Sequence, residues 1–283
     1  MINTKFKKSQ SFGNINLSLP LIATFLGQLF FAQNIIHQNI FSKKMNKNIP
    51  VVVIMPNIEK GVRYKTVYIL HGYSGNSERT YKKDIPDLIQ KSNLYKTIYV
   101  LPDGNYNSWY VDSPIDKSSQ YTTFIGNELV DEIDKKFPTI RNRNSRGILG
   151  WSMGGFGALH IGITFPDTFS IVGSTCGAVD VKDFGKEYTD YQIDKFLGNK
   201  NNLSDTIQVV TNIDKMKHAN QYYILDCGTE DTQMIKMNRL FHQYLTEGGI
   251  IHSYTEYPGE HNTDYWSKAL SIQLTLFNSY FHN

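Results

Sequence analysis

The sequence predicts an α/β fold in a single domain, a mostly parallel sheet with helices on both faces. Three observations predict it. Short apolar runs alternate with longer amphipathic segments over residues 33–283, the pattern of strands joined by crossover helices. The pentapeptide Gly150-Trp151-Ser152-Met153-Gly154 stands between an apolar run and a helix-compatible run. No internal repeat, linker or low-complexity stretch divides the chain.

The elements follow in order. Asn34–Phe41 and Ile49–Met55 read as two strands turning around Lys43–Lys47. No helix separates them, so this end of the sheet is expected to be antiparallel. Thr66–Leu70 is a compact apolar strand ending at His71-Gly72, and Asp84–Ser92 reads as a helix. Thr97–Leu101 is a strand stopped by Pro102-Asp103-Gly104. Thr122–Phe137 carries Phe124, Ile125, Leu129, Ile133 and Phe137 at helical spacing. Arg146–Leu149, Phe169–Ser174, Gln221–Cys227 and Ile251–Tyr257 are further strands. Gly155–Thr164, Thr232–Glu247 and Thr263–Tyr280 are further helices.

Composition excludes several classes of function. The chain has 283 residues, of which 40% are hydrophobic and 19% charged, a globular profile. The formal charge of +3 is too small to imply a nucleic-acid partner. Even that excess is local: Lys5, Lys7 and Lys8 stand before residue 32 with no acid among them, leaving 26 basic against 26 acidic residues. The lysines precede an apolar stretch, Leu17–Ala32, which together read as a secretory signal peptide at residues 1–32. Cleavage is expected near Ala32-Gln33, although Phe30 departs from the small-x-small pattern. The alternative is a membrane anchor, but Pro20, Gly27 and Gln28 interrupt a stretch already short of the ~20 apolar residues of a span. The mature protein is therefore expected to be secreted or periplasmic, with no stable membrane insertion. Two cysteines, Cys176 and Cys227, cannot build a disulfide scaffold or a Cys-rich zinc site. Whether they pair or remain two buried thiols is open at this level.

The pentapeptide matches G-x-S-x-G in its required setting, strand before and helix after. A serine on so sharp a turn takes a strained backbone, and side chains two residues to either side would collide. The helix starting near Met153 then aims backbone N–H groups at the reacting centre. Ser152 is the candidate nucleophile. Such a serine needs an acid and then a histidine, in that chain order. Gln221–Cys227 is a late strand followed by Gly228-Thr229-Glu230-Asp231. Asp226 is inside the strand and reads as structural, whereas Glu230 and Asp231 both lie on the turn. Asp231 is preferred, with Glu230 as the alternative. The last strand is followed by Pro258-Gly259-Glu260-His261, which makes His261 the candidate base. His71 ends a strand near the site, and its ring is expected to brace the loop. Two backbone donors must meet a developing oxyanion. Met153 N–H is one, and the loop His71–Asn76 supplies the other, Tyr73 N–H or else Gly72 N–H.

At this point the chain resembles the putative esterase family of α/β-hydrolases, which includes feruloyl esterases, tributyrin-type esterases, S-formylglutathione hydrolase and the mycolyltransferases. The segments that carry the resemblance are YILHGYSGN at 68–76, LPDGNYNSWYVDSP at 101–114, RGILGWSMGGFGALHIGITFPDTFS at 146–170, CGTED at 227–231 and GEH at 259–261. The resemblance implies an α/β-hydrolase fold, a mostly parallel eight-stranded sheet with an antiparallel N-terminal end. It implies Ser152 as nucleophile, Asp231 rather than Glu230 as acid, and His261 as base. After CGTED, Thr232-Gln233-Met234 stands where the family often has an aromatic residue, while His261 and Trp266 keep the family's H-x-x-x-x-W spacing.

The implied reaction is acyl transfer from an ester to water through an acyl-enzyme, with neither metal nor organic cofactor. The substrate is expected to be a small-molecule or polysaccharide-linked ester, such as an acetylated or feruloylated plant polysaccharide. An acyltransferase with the same triad, or a non-catalytic carbohydrate-binding descendant, is the alternative. The polar, aromatic segment Asp103–Ser119 is expected to overhang the site. Its Trp109 and Tyr110 either stack on a sugar or phenolic group of the substrate or pack the loop down.

Overall fold

The computed structural model describes residues 34–282. The expected signal peptide at residues 1–32 lies outside the described residues. Eight strands form one sheet: β1 (Ile35–Ser42), β2 (Lys47–Ile54), β3 (Lys65–Leu70), β4 (Thr97–Pro102), β5 (Arg146–Trp151), β6 (Ile171–Thr175), β7 (Tyr222–Gly228) and β8 (His252–Tyr257). Their spatial order is β1-β2-β4-β3-β5-β6-β7-β8. β1 and β2 pair antiparallel, as do β2 and β4, and every later pairing is parallel. This is the expected α/β-hydrolase architecture.

Period-two alternation places each strand's side chains on two faces. Val67 and Ile69 join one buried cluster with Leu88, Leu270, Leu274 and Phe277. Tyr68 and Leu70 join the other with Phe124, Ile133, Phe156, Ile161 and Phe241. The first face is covered by the helices Leu88–Tyr95 and Thr263–Tyr280. The second is covered by Val130–Lys136, Met153–Thr164 and Ile235–Glu247. Strands buried on both faces are apolar throughout, which is why β3, β4 and β5 were compact hydrophobic runs in the sequence.

Three segments differ from the sequence reading. The helix expected over Thr122–Phe137 opens as a turn at Tyr121–Thr123, widens to a π-helix over Phe124–Leu129 and continues as Val130–Lys136. The helix expected over Asp84–Ser92 is divided: a wide π-helical turn covers Thr80–Asp84, and the helix runs Leu88–Tyr95. Pro86 lacks an N–H and forces Ile85 out of helical conformation (φ −136°, ψ 73°), so the chain breaks there. Between β6 and β7, where no element was assigned, the chain forms short helices at Glu187–Asp190, Asp194–Leu197 and Ile213–Ala219. Helices of four to seven residues carry no readable periodicity.

Candidate active site

The parallel strands end on one side of the sheet, the place where open α/β sheets hold their ligands. Ser152 follows β5, Asp231 follows β7 and His261 follows β8. Ser152 sits at φ 53°, ψ −121°, a conformation costly for a residue with a Cβ. The turn exists because its neighbours lack side chains. A Cβ at Gly154 would run into the carbonyl of Leu70, and one at Gly150 into the backbone of Gly154.

The three predicted side chains converge. Ser152 Oγ lies 2.9 Å from His261 Nε2. His261 Nδ1 lies 2.6 Å from Asp231 Oδ2. The second carboxylate oxygen, Oδ1, accepts a hydrogen bond from Met234 N at 3.0 Å. The acid and base loops are tied together: Thr229 N donates to Tyr257 O (2.9 Å) and Glu230 N to Gly259 O (3.0 Å). Asn262 caps the last helix by accepting from Tyr265 N, which fixes where His261 leaves the strand. Glu230, the alternative acid, is exposed.

The electrostatics are those of a coupled acid–base pair. Burial alone would push the His261 ring towards its neutral form. The hydrogen bond and charge of Asp231, with the neighbouring Cys176, outweigh burial and raise it from 6.5 to about 9. Burial pushes the Asp231 carboxyl up, and the bond and charge of His261 bring it below its ordinary value. Cys176 Sγ, Asp231 and His261 place one donor atom each within 4.8 Å of one another, the one such group among the described residues. Burial pushes the Cys176 thiol well up, which favours the protonated form, whereas a metal ligand must be thiolate. The donor set therefore fits a proton relay better than a metal. Cys176 and Cys227 are both free and buried.

The two expected oxyanion donors stand on the two segments next to Ser152, Met153 directly after it and Tyr73 on the loop after β3. Met153 opens its helix, so its N–H has no partner within that helix. Tyr73 lines the cavity beside Ser152. Its loop is held by Ser74 N donating to Tyr106 O (2.8 Å) and Gly75 N donating to Gly72 O (3.0 Å). His71 is fully buried and braces the loop: Nδ1 bonds Gly72 O at 2.8 Å and Nε2 accepts from Gly104 N at 2.9 Å.

The two aromatic residues of the overhanging loop separate. Trp109 lines the cavity with one edge, while its Nε1 donates to Tyr191 O at 3.1 Å. Tyr110 does not reach the cavity. Its hydroxyl donates to His71 O at 3.0 Å, and its ring fills the space left by Gly104 and Gly157. As a substrate-stacking residue Tyr110 is corrected: it is 0% exposed because two glycines on opposite elements make room for it inside the protein. The cavity has a volume of about 130 Å³ and is also lined by Tyr191, Met234 and Trp266. Sequence reading missed these three as site residues. Trp266 had a signal in its fixed spacing after His261. Tyr191 had none, since it stands in the segment without periodicity.

Comparison with known proteins finds esterases. The profile of the Putative esterase family matches residues 42–277. An acetyl esterase of Caldicellulosiruptor saccharolyticus is 29% identical over 256 residues, 82% of this chain and 94% of that protein. An esterase of Mycobacterium tuberculosis is 27% identical over 244 residues, 75% of this chain but 52% of that longer protein. In fold, the chain is similar to S-formylglutathione hydrolase of Staphylococcus aureus (TM-score 0.74, 21% identity, 86% of this chain and 98% of that one). It is equally similar to a ferulic acid esterase (TM-score 0.75, 24% identity, 87% and 97%). With most of its length matched, the chain belongs to the Putative esterase family and is a carboxylic-ester hydrolase of the α/β-hydrolase fold.

Proposed function

We propose that the protein is a secreted serine esterase that removes small acyl groups, acetyl foremost, from saccharide esters. In this reading His261 Nε2 takes the Ser152 proton as Oγ attacks the ester carbonyl. Asp231 holds the ring and stabilises the imidazolium that forms. The Met153 and Tyr73 amides receive the oxyanion. His261 then protonates the leaving alcohol, and water, deprotonated by the same ring, cleaves the acyl-enzyme.

The observation that carries the reading is the Ser152–His261–Asp231 chain opening into a cavity of about 130 Å³. A cavity of about 150 Å³ holds a single benzene ring. The space beside Ser152 therefore suits a small acyl group such as acetyl. The acetyl esterase among the relatives supports the same preference. The basic and apolar N-terminal segment at residues 1–32 supports export.

Two experiments test this. The purified protein is expected to hydrolyse p-nitrophenyl acetate and to release acetate from acetylated xylo-oligosaccharides. Ser152→Ala is expected to lower kcat by roughly 10⁵- to 10⁶-fold, and an undiminished rate would overturn the assignment. N-terminal sequencing of protein from the expression host's medium or periplasm is expected to begin near Gln33. Retention of the full N-terminus would overturn the export reading alone.

A further inference from the structure

Resting on that reading of the site, we propose that Tyr191, from the segment between β6 and β7, is the wall that sets acyl length. The sides of the cavity can be told apart by chemistry. The leaving alcohol must lie against His261 Nε2, which gives it a proton, so the alcohol exits on the side of His261 and Trp266. The acyl group is left with Tyr73, Trp109, Tyr191 and Met234. Three of these are fixed by the body of the protein: Trp109 and Met234 are each 2% exposed, and Tyr73 stands on the loop assigned to the oxyanion. Tyr191 is half-buried and belongs to no strand or long helix.

Its position is nevertheless well determined. The Tyr191 carbonyl accepts from Trp109 Nε1 (3.1 Å), and its hydroxyl donates to Gln233 Oε1 (3.3 Å). The ring meets Tyr73 edge-on at 5.2 Å between centroids, and lies 6.2 Å from Phe184. The next residue, Gln192, takes a left-handed conformation (φ 54°) and accepts from Asn107 Nδ2 at 2.7 Å. The oxyanion loop, the Asp103–Ser119 loop and the turn after β7 thus all meet at this one tyrosine. Removing its ring deletes the end of the acyl pocket and leaves the triad, the oxyanion amides and the strand ends in place.

The test is an acyl series, p-nitrophenyl acetate, butyrate and hexanoate, read as ratios of kcat/KM. One methylene in an apolar pocket is worth about 10- to 200-fold in discrimination. Wild type is expected to prefer acetate. Tyr191→Ala is expected to raise the butyrate-to-acetate ratio by about tenfold or more, with hexanoate following. Tyr191→Phe keeps the ring and is expected to keep the wild-type order, which separates the wall from the Gln233 hydrogen bond. Tyr191→Leu retains apolar contact with Phe184 and gives an intermediate ratio, so the question is answered even where the alanine variant folds poorly. Labelling of Ser152 by a fluorophosphonate confirms an intact triad in each variant. An unchanged ratio in labelled Tyr191→Ala or Tyr191→Leu overturns the proposal while leaving the esterase reading intact. A wild type inactive on all three esters and unlabelled overturns both.

Discussion

At the scale of single residues, the proposed mechanism rests on one negative charge placed against the imidazole. Asp231 is 1% exposed, and its two oxygens are spent on His261 and Met234. Its charge and hydrogen bond hold His261 above the ordinary histidine value against the opposing effect of burial. The base must be neutral to accept the Ser152 proton, so activity should rise with pH along a limb lying above pH 6.5. Asp231→Asn removes the larger raising influence and leaves burial, which lowers, opposed only by Cys176. The limb should therefore move to lower pH while kcat falls by roughly 10⁴-fold. A pH–rate profile of the two proteins checks this, and a limb that stays put would mean another group sets the imidazole. These three residues were legible in the sequence because each follows a strand with a distinctive turn: GWSMG, CGTED and PGEH. Trp109 and Tyr110 were not separable there. Adjacent aromatic residues on one loop look alike until the glycines that admit one of them, Gly104 and Gly157, are brought beside it by the fold.

At the scale of elements, the turn between β5 and the Met153–Thr164 helix is the costliest piece of backbone. It holds Ser152 at positive φ only because β3 can approach Gly154 without a side chain between them. Gly154→Ala places a methyl group against the Leu70 carbonyl, and backbone cannot step aside as a flexible side chain can. Overpacking of this kind costs about 1–3 kcal/mol, which for a domain of this size lowers Tm by roughly 2–10 °C. Differential scanning fluorimetry reads the shift, and a melting temperature equal to wild type would show that the approach of β3 is slack. The inner strands were readable because both-face burial makes each an apolar run bounded by turn residues, whereas the edge strands β1 and β8, only partly buried, showed through their turn residues and β-branched or aromatic content. The segment between β6 and β7 was not readable. Its helices are too short for a period to show, and Tyr191 and Gln192 take their places from contacts with Trp109, Asn107 and Gln233, all remote in sequence.

At the scale of the whole molecule, a buried carboxylate beneath the site joins the sheet to the last helix. Asp226, on β7, is 3% exposed. Its Oδ2 accepts from Thr175 Oγ1 on β6 (2.9 Å) and from Gln273 Nε2 on the Thr263–Tyr280 helix (2.6 Å). Its Oδ1 accepts from the Tyr265 hydroxyl at 3.0 Å. No cation stands among these partners. Burial pushes the Asp226 carboxyl from 3.8 up to about 6, and the three hydrogen bonds only partly offset it. The folded protein thus holds this proton more tightly than the unfolded chain does. The resulting stability is complete below pH 4 and is lost as pH rises through about 6. A shift of this size corresponds to a contribution of about 2–3 kcal/mol. Asp226→Asn removes the ionisation and keeps the shape: its carbonyl can accept from Gln273 and Thr175, and its amide can donate to the Tyr265 oxygen. Relative to wild type, Asp226→Asn should therefore gain stability as pH rises from 4 to 8, whereas Asp226→Ala, which strands Gln273 and Tyr265, should be less stable throughout. Urea unfolding at pH 4, 6 and 8 measures this. A constant difference between wild type and Asp226→Asn across that range would mean that the carboxylate is solvated or paired in a way the three hydrogen bonds do not describe.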